Sequence, residues 1–428
     1  MKTVAFITLG CKVNQYETNA MSQKLIEEGY KIVEHTQKAD IYIINTCTVT
    51  NMSDRKSRQM IRRAKEINPE AIIIAVGCYV QVAKKEIENI KEIDLALGNE
   101  EKVDIVKYCN EIIQKNKKEE ISDVMQSRKF AEFGETSYTE KTRAVIKVQD
   151  GCDRFCSYCI IPYARGRVRS RSRDSVLEEV KTLAANGYKE VVLTGIEIST
   201  WGQDFKNGQG LIDLMEALAS AAPELRLRLG SLEPRTVTED FCRRAAALPQ
   251  LCPQFHLSLQ SGCDATLKRM NRKYDTARFA QSVALLNQYF EHPAITTDLI
   301  TGFPEETEEE FSETLAFLRR CGFARLHVFP YSIRPGTPAA KMTQVPKAIK
   351  EERARRAIAL GRELHEEYME KCIGQVYPVL FEQPSGAHFS GHAPNYMEVG
   401  VAADGLHNVV KNVKIVGIDG EILRGELT

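Results

Sequence analysis

The stretch Ala144-Val-Ile-Lys-Val-Gln-Asp-Gly-Cys152-Asp-Arg-Phe-Cys156-Ser-Tyr-Cys159 decides how this chain is read. Ala144–Gln149 has the length and β-branched content of a short strand. Three cysteines follow within eight residues. Cysteine thiolates are the usual ligands of iron–sulfur clusters. Three ligands on a four-iron cubane leave one iron open, and a small molecule can chelate it. Zinc is the rival, but a structural zinc site wants four protein ligands. His256 is the type of residue that could supply the fourth.

Five further strand candidates follow this one: Glu190–Thr194, Leu225–Leu229, Phe255–Leu259, Ile295–Ile300 and Arg325–Pro330. Helical stretches such as Ser175–Ala185, Leu211–Ala222 and Glu308–Arg320 lie between most of them. Six β/α units predict an open, partial TIM-type (β/α)6 barrel over residues 144–371, with its working face at the strand C-termini. Residues 347–371 read as a long charged helix. Residues 372–428 are β-rich, with Asp419-Gly420 as a hairpin signal, and predict a small β-barrel. Upstream, residues 1–110 alternate strands (Val4–Gly10, Ile41–Thr46, Ile72–Gly77) with the helical stretches Glu17–Glu28 and Asp54–Ile67. That pattern predicts an α/β, doubly wound parallel sheet. Residues 111–143, charged through Lys115–Glu120, read as a linker.

Cys11, Cys47 and Cys78 each follow one of the three N-terminal strands directly. The C-termini of parallel strands share one edge of the sheet, so the three cysteines converge there on one candidate metal centre. The bland alternative is three buried thiols, which pack as small hydrophobes. Cys109, Cys242, Cys252, Cys263, Cys321 and Cys372 fit no ligand position and are read as structural.

The spacing of Cys152, Cys156 and Cys159, with an aromatic before the last cysteine, resembles the radical S-adenosylmethionine (SAM) superfamily. Leu9-Gly10-Cys11-Lys12-Val13-Asn14, Asn45-Thr46-Cys47-Thr48-Val49-Thr50 and Val76-Gly77-Cys78-Tyr79 resemble the N-terminal domain of its methylthiotransferases, in which a C-terminal RNA-binding TRAM barrel follows the radical SAM barrel. The resemblance covers nearly the whole chain. It implies two [4Fe–4S] clusters, one on Cys152, Cys156 and Cys159 that cleaves SAM to a 5′-deoxyadenosyl radical. The auxiliary cluster, on Cys11, Cys47 and Cys78, carries the sulfur to be methylated and transferred. It also implies SAM-binding roles for Tyr158, Gly195, Glu197, Gln260 and Ser261, the last four in turns after the second and fourth barrel strands. Glu305, after Gly302-Phe303-Pro304, stands where the family usually has glycine, and Cys263 where it usually has serine.

Composition agrees with an intracellular enzyme. The 428 residues are 43% hydrophobic and 27% charged, with a formal net charge of zero. No apolar run approaches the roughly 20 residues of a membrane span. Lys2, Val4–Leu9 and Cys11 imitate a lipoprotein signal only loosely. Twelve cysteines without a small secreted framework point to a reducing cytoplasm. A neutral chain that binds nucleic acid must concentrate its positive charge locally. Arg165, Arg167, Arg169, Arg171 and Arg173 alternate just after the cluster loop. Arg55, Lys56, Arg58, Arg62, Arg63 and Lys65 lie on the second N-terminal helix. Arg167, Arg169, Arg171, Arg58 and Arg62 are the candidate phosphate contacts; the alternative is a solvated basic face.

The N-terminal segments resemble the threonylcarbamoyladenosine group of the family. That implies methylthiolation of N6-threonylcarbamoyladenosine at tRNA position 37, beside the anticodon, with two SAM molecules per turnover. The partners are then tRNA, an electron donor and a sulfur source. Isopentenyl-adenosine tRNA and a ribosomal-protein aspartate are the alternative substrates; a non-catalytic iron–sulfur RNA-binding protein is the alternative of another class. An anionic threonyl group calls for a cation, and Lys12, beside Cys11, is the candidate substrate contact.

Overall fold

The computed structural model describes residues 1–113, 119–134, 142–385 and 388–428. Its N-terminal sheet is parallel throughout: β1 (Thr3–Thr8), β2 (Lys31–Val33), β3 (Ile41–Thr46), β4 (Ile72–Gly77), β5 (Leu95–Leu97) and β6 (Glu119–Glu120) stand in the order β2-β1-β3-β4-β5-β6. Every residue of β3 is buried, as expected of a strand covered on both faces. Tyr16, Met21, Leu25 and Ile105 pack one face, and Ile61, Ala64, Tyr79 and Val80 pack the other. The strand order reverses between β1 and β3. The crevice at such a switch point is where open α/β sheets place their ligands, and Cys11 and Cys47 flank it.

The first helix runs from Lys12 to Glu27, so it begins directly after Cys11, earlier than Glu17. The second, Asn51–Ile67, is capped by Thr50, whose side chain accepts from the Ser53 amide. Three short strands, β2, β5 and β6, have too few residues to carry a periodic signal. In its described part, residues 119–134, the segment read as a linker packs onto the N-terminal domain. Glu119–Glu120 adds the sixth strand, and Val124 and Phe133 are buried, with the Phe133 ring edge-on to Tyr16 at 6.3 Å. A few apolar side chains in a charged stretch are enough to fasten it down. Much of Lys115–Glu120 lies outside the described residues.

The middle of the chain is a six-unit parallel array. β7 (Arg143–Lys147) is followed by a two-residue antiparallel pair, β8 (Gln149–Asp150) and β9 (Arg169–Ser170), that brackets the cluster loop. β10 (Glu190–Thr194) pairs with β7 and with β11 (Arg226–Leu229). β12 (Ser231–Leu232), β13 (Gln254–Gln260), β14 (Ala294–Thr301) and β15 (Arg325–Pro330) continue the wall in order. β7 and β15 do not pair, so this is a partial (β/α)6 barrel. The helix Lys347–Cys372 then leads into β16 (Val376–Ser385), β17 (His388–His392), β18 (Glu398–Val401), β19 (Val409–Asp419) and β20 (Ile422–Leu427), a closed five-stranded barrel. Gly420, at φ +61, makes the β19–β20 turn.

The N-terminal sheet is docked onto the barrel by buried charge. Glu17, 1% exposed, accepts from Lys102 Nζ at 2.6 Å, from Lys147 Nζ at 2.8 Å and from both terminal nitrogens of Arg165, at 2.5 and 3.1 Å. Asp150 adds a second carboxylate, 2.5 Å from Lys147. Burial works to raise the Glu17 carboxyl, but Arg165, Lys102 and Lys147 outweigh it and hold it well below the usual range. Removing one member of such a network strands the others without counter-charge. The folded pKa lies below the unfolded value of about 4.3. The contribution is therefore complete above that value and is withdrawn as pH falls through the folded pKa. Glu17→Gln is expected to cost about 3–5 kcal/mol at neutral pH, read as a lower denaturant midpoint, and the gap to the parent chain should narrow below about pH 4.

Candidate metal and cofactor site

Cys11, Cys47 and Cys78 are brought together at the edge of the N-terminal sheet. Gly10, at φ +98, lies so close that a Cβ there would meet the Cys47 Cβ and Sγ at 2.8 Å. Only glycine permits that approach. The Asn14 side-chain amide donates to Leu9 O at 2.7 Å and to Thr46 O at 3.0 Å, clamping the Cys11 and Cys47 turns to each other. Its oxygen accepts from Arg165 at 2.6 Å. Arg165 Nε donates to the Cys78 Sγ at 3.1 Å. This arginine ends the short helix Ile161–Arg165 that follows the other cysteine set, so one buried side chain ties the two sets together.

The second set lies at the C-terminal end of β7. Burial pushes the Cys152 and Cys159 thiols up to about 12, and burial also raises Cys47. A bound metal centre would reverse that, because its positive charge drives ligand thiols to release their protons. All twelve cysteines are free of disulfides. His256 is engaged elsewhere, through Nδ1 with Thr296 Oγ1 at 3.0 Å and through Nε2 with Asp298 at 3.3 Å, so it is not a fourth zinc ligand. Among the described residues, no three His, Cys, Asp or Glu side chains close on a single-ion position.

Next to this set is a cavity lined by Tyr158, Cys159, Gln260, Asp298, Ile300, Tyr331 and Arg334. Tyr158 packs edge-on to Phe303 at 6.5 Å. Gly195 lies against Gln149, where a Cβ would come within 2.8 Å of its side-chain oxygen, and that oxygen accepts from the Glu197 amide. Burial raises the Glu197 carboxyl, and its Oε1 is buried without a partner. A bare carboxylate oxygen beside the cluster loop fits a ligand carrying an amino group. Gln260 adopts φ +73, a left-handed conformation unusual for its type. Ser261 differs from expectation: it is fully buried and faces the helix Glu308–Cys321, 3.3 Å from Thr314 Oγ1, instead of the cavity. Glu305, where glycine was expected, sits at φ +64.

Two residues were not picked out from the sequence. Arg272 donates to Cys156 Sγ at 3.3 Å and to Ser258 O at 3.0 Å. Arg334 reaches across to the N-terminal domain, donating to Thr48 Oγ1 at 2.6 Å and pairing with Asp54 at 2.7 Å. Arg272 lies in the basic turn Lys268–Lys273 at the end of a short helix, and Arg334 follows β15.

Residues 3–98 match the model described as "Uncharacterized protein family UPF0004", and residues 146–318 match the radical SAM superfamily. The threonylcarbamoyladenosine tRNA methylthiotransferase MtaB of Bacillus subtilis (strain 168) is 40% identical over 406 residues, covering 93% of this chain and 90% of that protein. This chain belongs to the radical SAM methylthiotransferase family. A Clostridium botulinum (strain Loch Maree / Type A3) member, tRNA-2-methylthio-N(6)-dimethylallyladenosine synthase, is 32% identical over 98% of this chain and 95% of its own length. Among solved structures, the Kitasatospora setae radical SAM methyltransferase TsrM, with cobalamin and a [4Fe-4S] cluster bound, superposes with a TM-score of 0.59 at 16% identity, over 95% of this chain and 82% of that one. That likeness concerns the fold alone.

The arginine strip of this methylthiotransferase is the main correction. Arg169 and Arg171 are 1% and 4% exposed. Arg169 pairs with Glu100 at 3.1 Å, and Arg171 pairs with Glu179 and with Glu132. Neither is a surface phosphate contact: Arg165, Arg169 and Arg171 are buried in ion pairs, and only Arg167 and Arg173 of the strip are exposed. Arg167 is exposed, over the Phe155 ring at 5.0 Å and 3.2 Å from Asp153. Arg58 is bound to Tyr79 and Glu86, whereas Arg62 is open to solvent with Glu92 at 3.7 Å. Among the described residues, no helix is long and apolar enough to cross a membrane. Arg169→Gln and Arg171→Gln are expected to lower stability by about 3–5 kcal/mol each in thermal unfolding. Arg167→Gln should leave the melting temperature unchanged and reduce the log–log salt slope of RNA binding by about 0.7–0.9.

Proposed function

We propose that this chain methylthiolates N6-threonylcarbamoyladenosine at position 37 of tRNA, as the names of its 35–40% identical relatives describe for themselves. The observation that carries the reading is a shared wall. The lumen of the barrel is lined by Cys11 and Lys12 from the N-terminal domain and by Asp298 from β14. Asp298 also lines the cavity beside Cys159 and Tyr158. The two cavities, one lined by Cys11 and the other by Cys159, therefore adjoin at Asp298, and a base seated there lies between the cysteine sets.

In this reading Cys152, Cys156 and Cys159 hold one [4Fe–4S] cluster, and Cys11, Cys47 and Cys78 hold the other. Bound there, the first supplies the electron that cleaves SAM, and the second holds the sulfur to be transferred. An inert adenine C–H bond calls for radical chemistry of this kind. Arg272 and Arg165 donate to Cys156 and Cys78 and so set the charge around each thiolate. Glu197 and the Gly195 turn receive SAM beside Tyr158 and Gln260. Arg334 holds the Thr48–Asp54 segment over the cavity mouth and limits its access to water.

Residues 1–110 then form the auxiliary-cluster domain, residues 144–371 the SAM domain, and residues 372–428 an RNA-binding barrel. Arg167 and Arg62 meet phosphate, and Lys12 meets the threonyl carboxylate. An electron donor and a sulfur source complete the cycle.

The test is incubation of the anaerobically reconstituted protein with SAM, reductant and tRNA carrying either threonylcarbamoyl- or isopentenyl-adenosine, followed by mass spectrometry of the nucleosides. The 2-methylthio derivative of the threonylcarbamoyl form, together with 5′-deoxyadenosine, is expected. Preferential modification of the isopentenyl form would overturn the substrate. Replacing Cys11, Cys47 and Cys78 with alanine should leave 5′-deoxyadenosine detectable while abolishing the methylthio product.

A further inference from the structure

The barrel wall is polar on its inner side. Gln254 and His256 of β13, Thr296 and Asp298 of β14, and Arg325 and His327 of β15 line the lumen at alternating positions. Its floor belongs to another domain. The loop between β17 and β18 of the C-terminal barrel brings Asn395, Tyr396 and Met397 to the same space that Cys11 lines. The barrel strands grip this loop by its backbone. Arg228 donates to Pro394 O at 2.9 Å and to Ala393 O at 3.4 Å, and Arg226 donates to His392 O at 3.4 Å. Within the loop, the Tyr396 amide donates to Ala393 O at 2.9 Å.

Tyr396 is held at φ +67, a costly conformation for an aromatic residue. The residue remains 37% exposed. Around it stand Arg228 at 4.6 Å, Arg143 at 5.5 Å and Lys12 Nζ at 6.0 Å from the centroid, with His392 stacked at 4.8 Å. The arginines here are all engaged with carboxylates: Arg143 with Glu382, Arg325 with Glu421, and Arg226 and Arg228 together on the one carboxylate of Glu190. Lys12 forms no ion pair among the described residues. It is enclosed by the chamber walls yet open to the water inside them. The chamber thus offers a partly exposed aromatic residue beside an ammonium that has no carboxylate partner, in a lumen that Cys11 also lines.

We infer that the β17–β18 loop is the floor of the nucleoside pocket: Tyr396 carries the planar carbamoyl-adenine face and, with Lys12, selects a substituent that ends in a carboxylate. The inference rests on the tRNA reading above and gives the C-terminal barrel a part in substrate choice besides RNA binding. A charged hydrogen bond inside a walled site discriminates strongly against a neutral analogue, and an aromatic face contributes stacking to whichever base it meets.

The experiment is equilibrium binding of anticodon stem-loops to the reconstituted protein, with threonylcarbamoyladenosine or its carboxamide counterpart at the target position. The parent chain should bind the carboxylate form about tenfold more tightly. Lys12→Met should erase that preference and leave affinity for the carboxamide unchanged. Tyr396→Gly, which relieves the positive φ and so keeps the loop, should weaken both RNAs by about tenfold. Tyr396→Phe should retain parent affinity, and Tyr396→Leu, which keeps bulk without a π-face, should match the glycine variant. A tenfold preference that survives Lys12→Met, or parent-like binding by both Tyr396→Gly and Tyr396→Leu, would overturn the inference while leaving the tRNA assignment in place. A parent chain that neither binds nor modifies the threonylcarbamoyl RNA would overturn both.

Discussion

The contact on which the rest depends is the buried bond set of Arg165. It follows the Cys152–Cys159 loop by six residues, yet its guanidinium ends in the N-terminal domain, on Glu17, Asn14 and the Cys78 thiol. A buried ion network adds little net stability over apolar packing, but it tolerates no loose end. It therefore fixes one docking geometry in preference to neighbouring ones. That geometry turns the switch-point edge of the sheet, with its three cysteines, toward the mouth of the barrel, and it brings Lys12 into the lumen.

The partial barrel gives this docking its purpose. A closed eight-unit barrel fills its centre with branched apolar side chains. Here six units leave β7 and β15 without a pairing to each other, and the inner positions of β13, β14 and β15 are polar. The centre is a chamber instead of a core. The N-terminal domain supplies one side of it through Cys11 and Lys12, and the C-terminal barrel supplies the floor through Tyr396. Each of the three units contributes to one space, which explains why none of them carries the site alone.

Much of this was legible in the sequence. The strand candidates Glu190–Thr194 and Arg325–Pro330 coincide with β10 and β15; Val191, Val192 and Thr194 give the first a β-branched run, and Leu326, Val328 and Phe329 give the second its apolar content. The strand-end positions of Cys11, Cys47 and Cys78 predicted a shared edge, and the chain brings them to it. The losses have physical causes. Arg169 and Arg171 looked like a basic surface because charge does not reveal its partner, and Glu100 and Glu179 are distant in sequence or unmarked by any motif. Ser261 was read toward the cavity because a turn motif does not say which way its side chain points. The polar alternation Gln254-x-His256-x-Ser258-x-Gln260 was present and could have announced the lumen: a barrel strand buried on both faces should read as a continuous apolar run. Tyr396 had no local signal, since its role arises only when the C-terminal barrel seats beneath β7, β10 and β11.

The central claim is that two cysteine sets hold two separate clusters around one chamber. Mössbauer spectroscopy with iron analysis of the anaerobically reconstituted Cys152→Ala, Cys156→Ala, Cys159→Ala variant tests it most directly. The account predicts that this variant keeps one [4Fe–4S] cluster, about four iron atoms per chain, and loses it when Cys11, Cys47 and Cys78 are also replaced. A variant that holds no cluster once Cys152, Cys156 and Cys159 are gone, or one that still holds a cluster with all six cysteines removed, would contradict it.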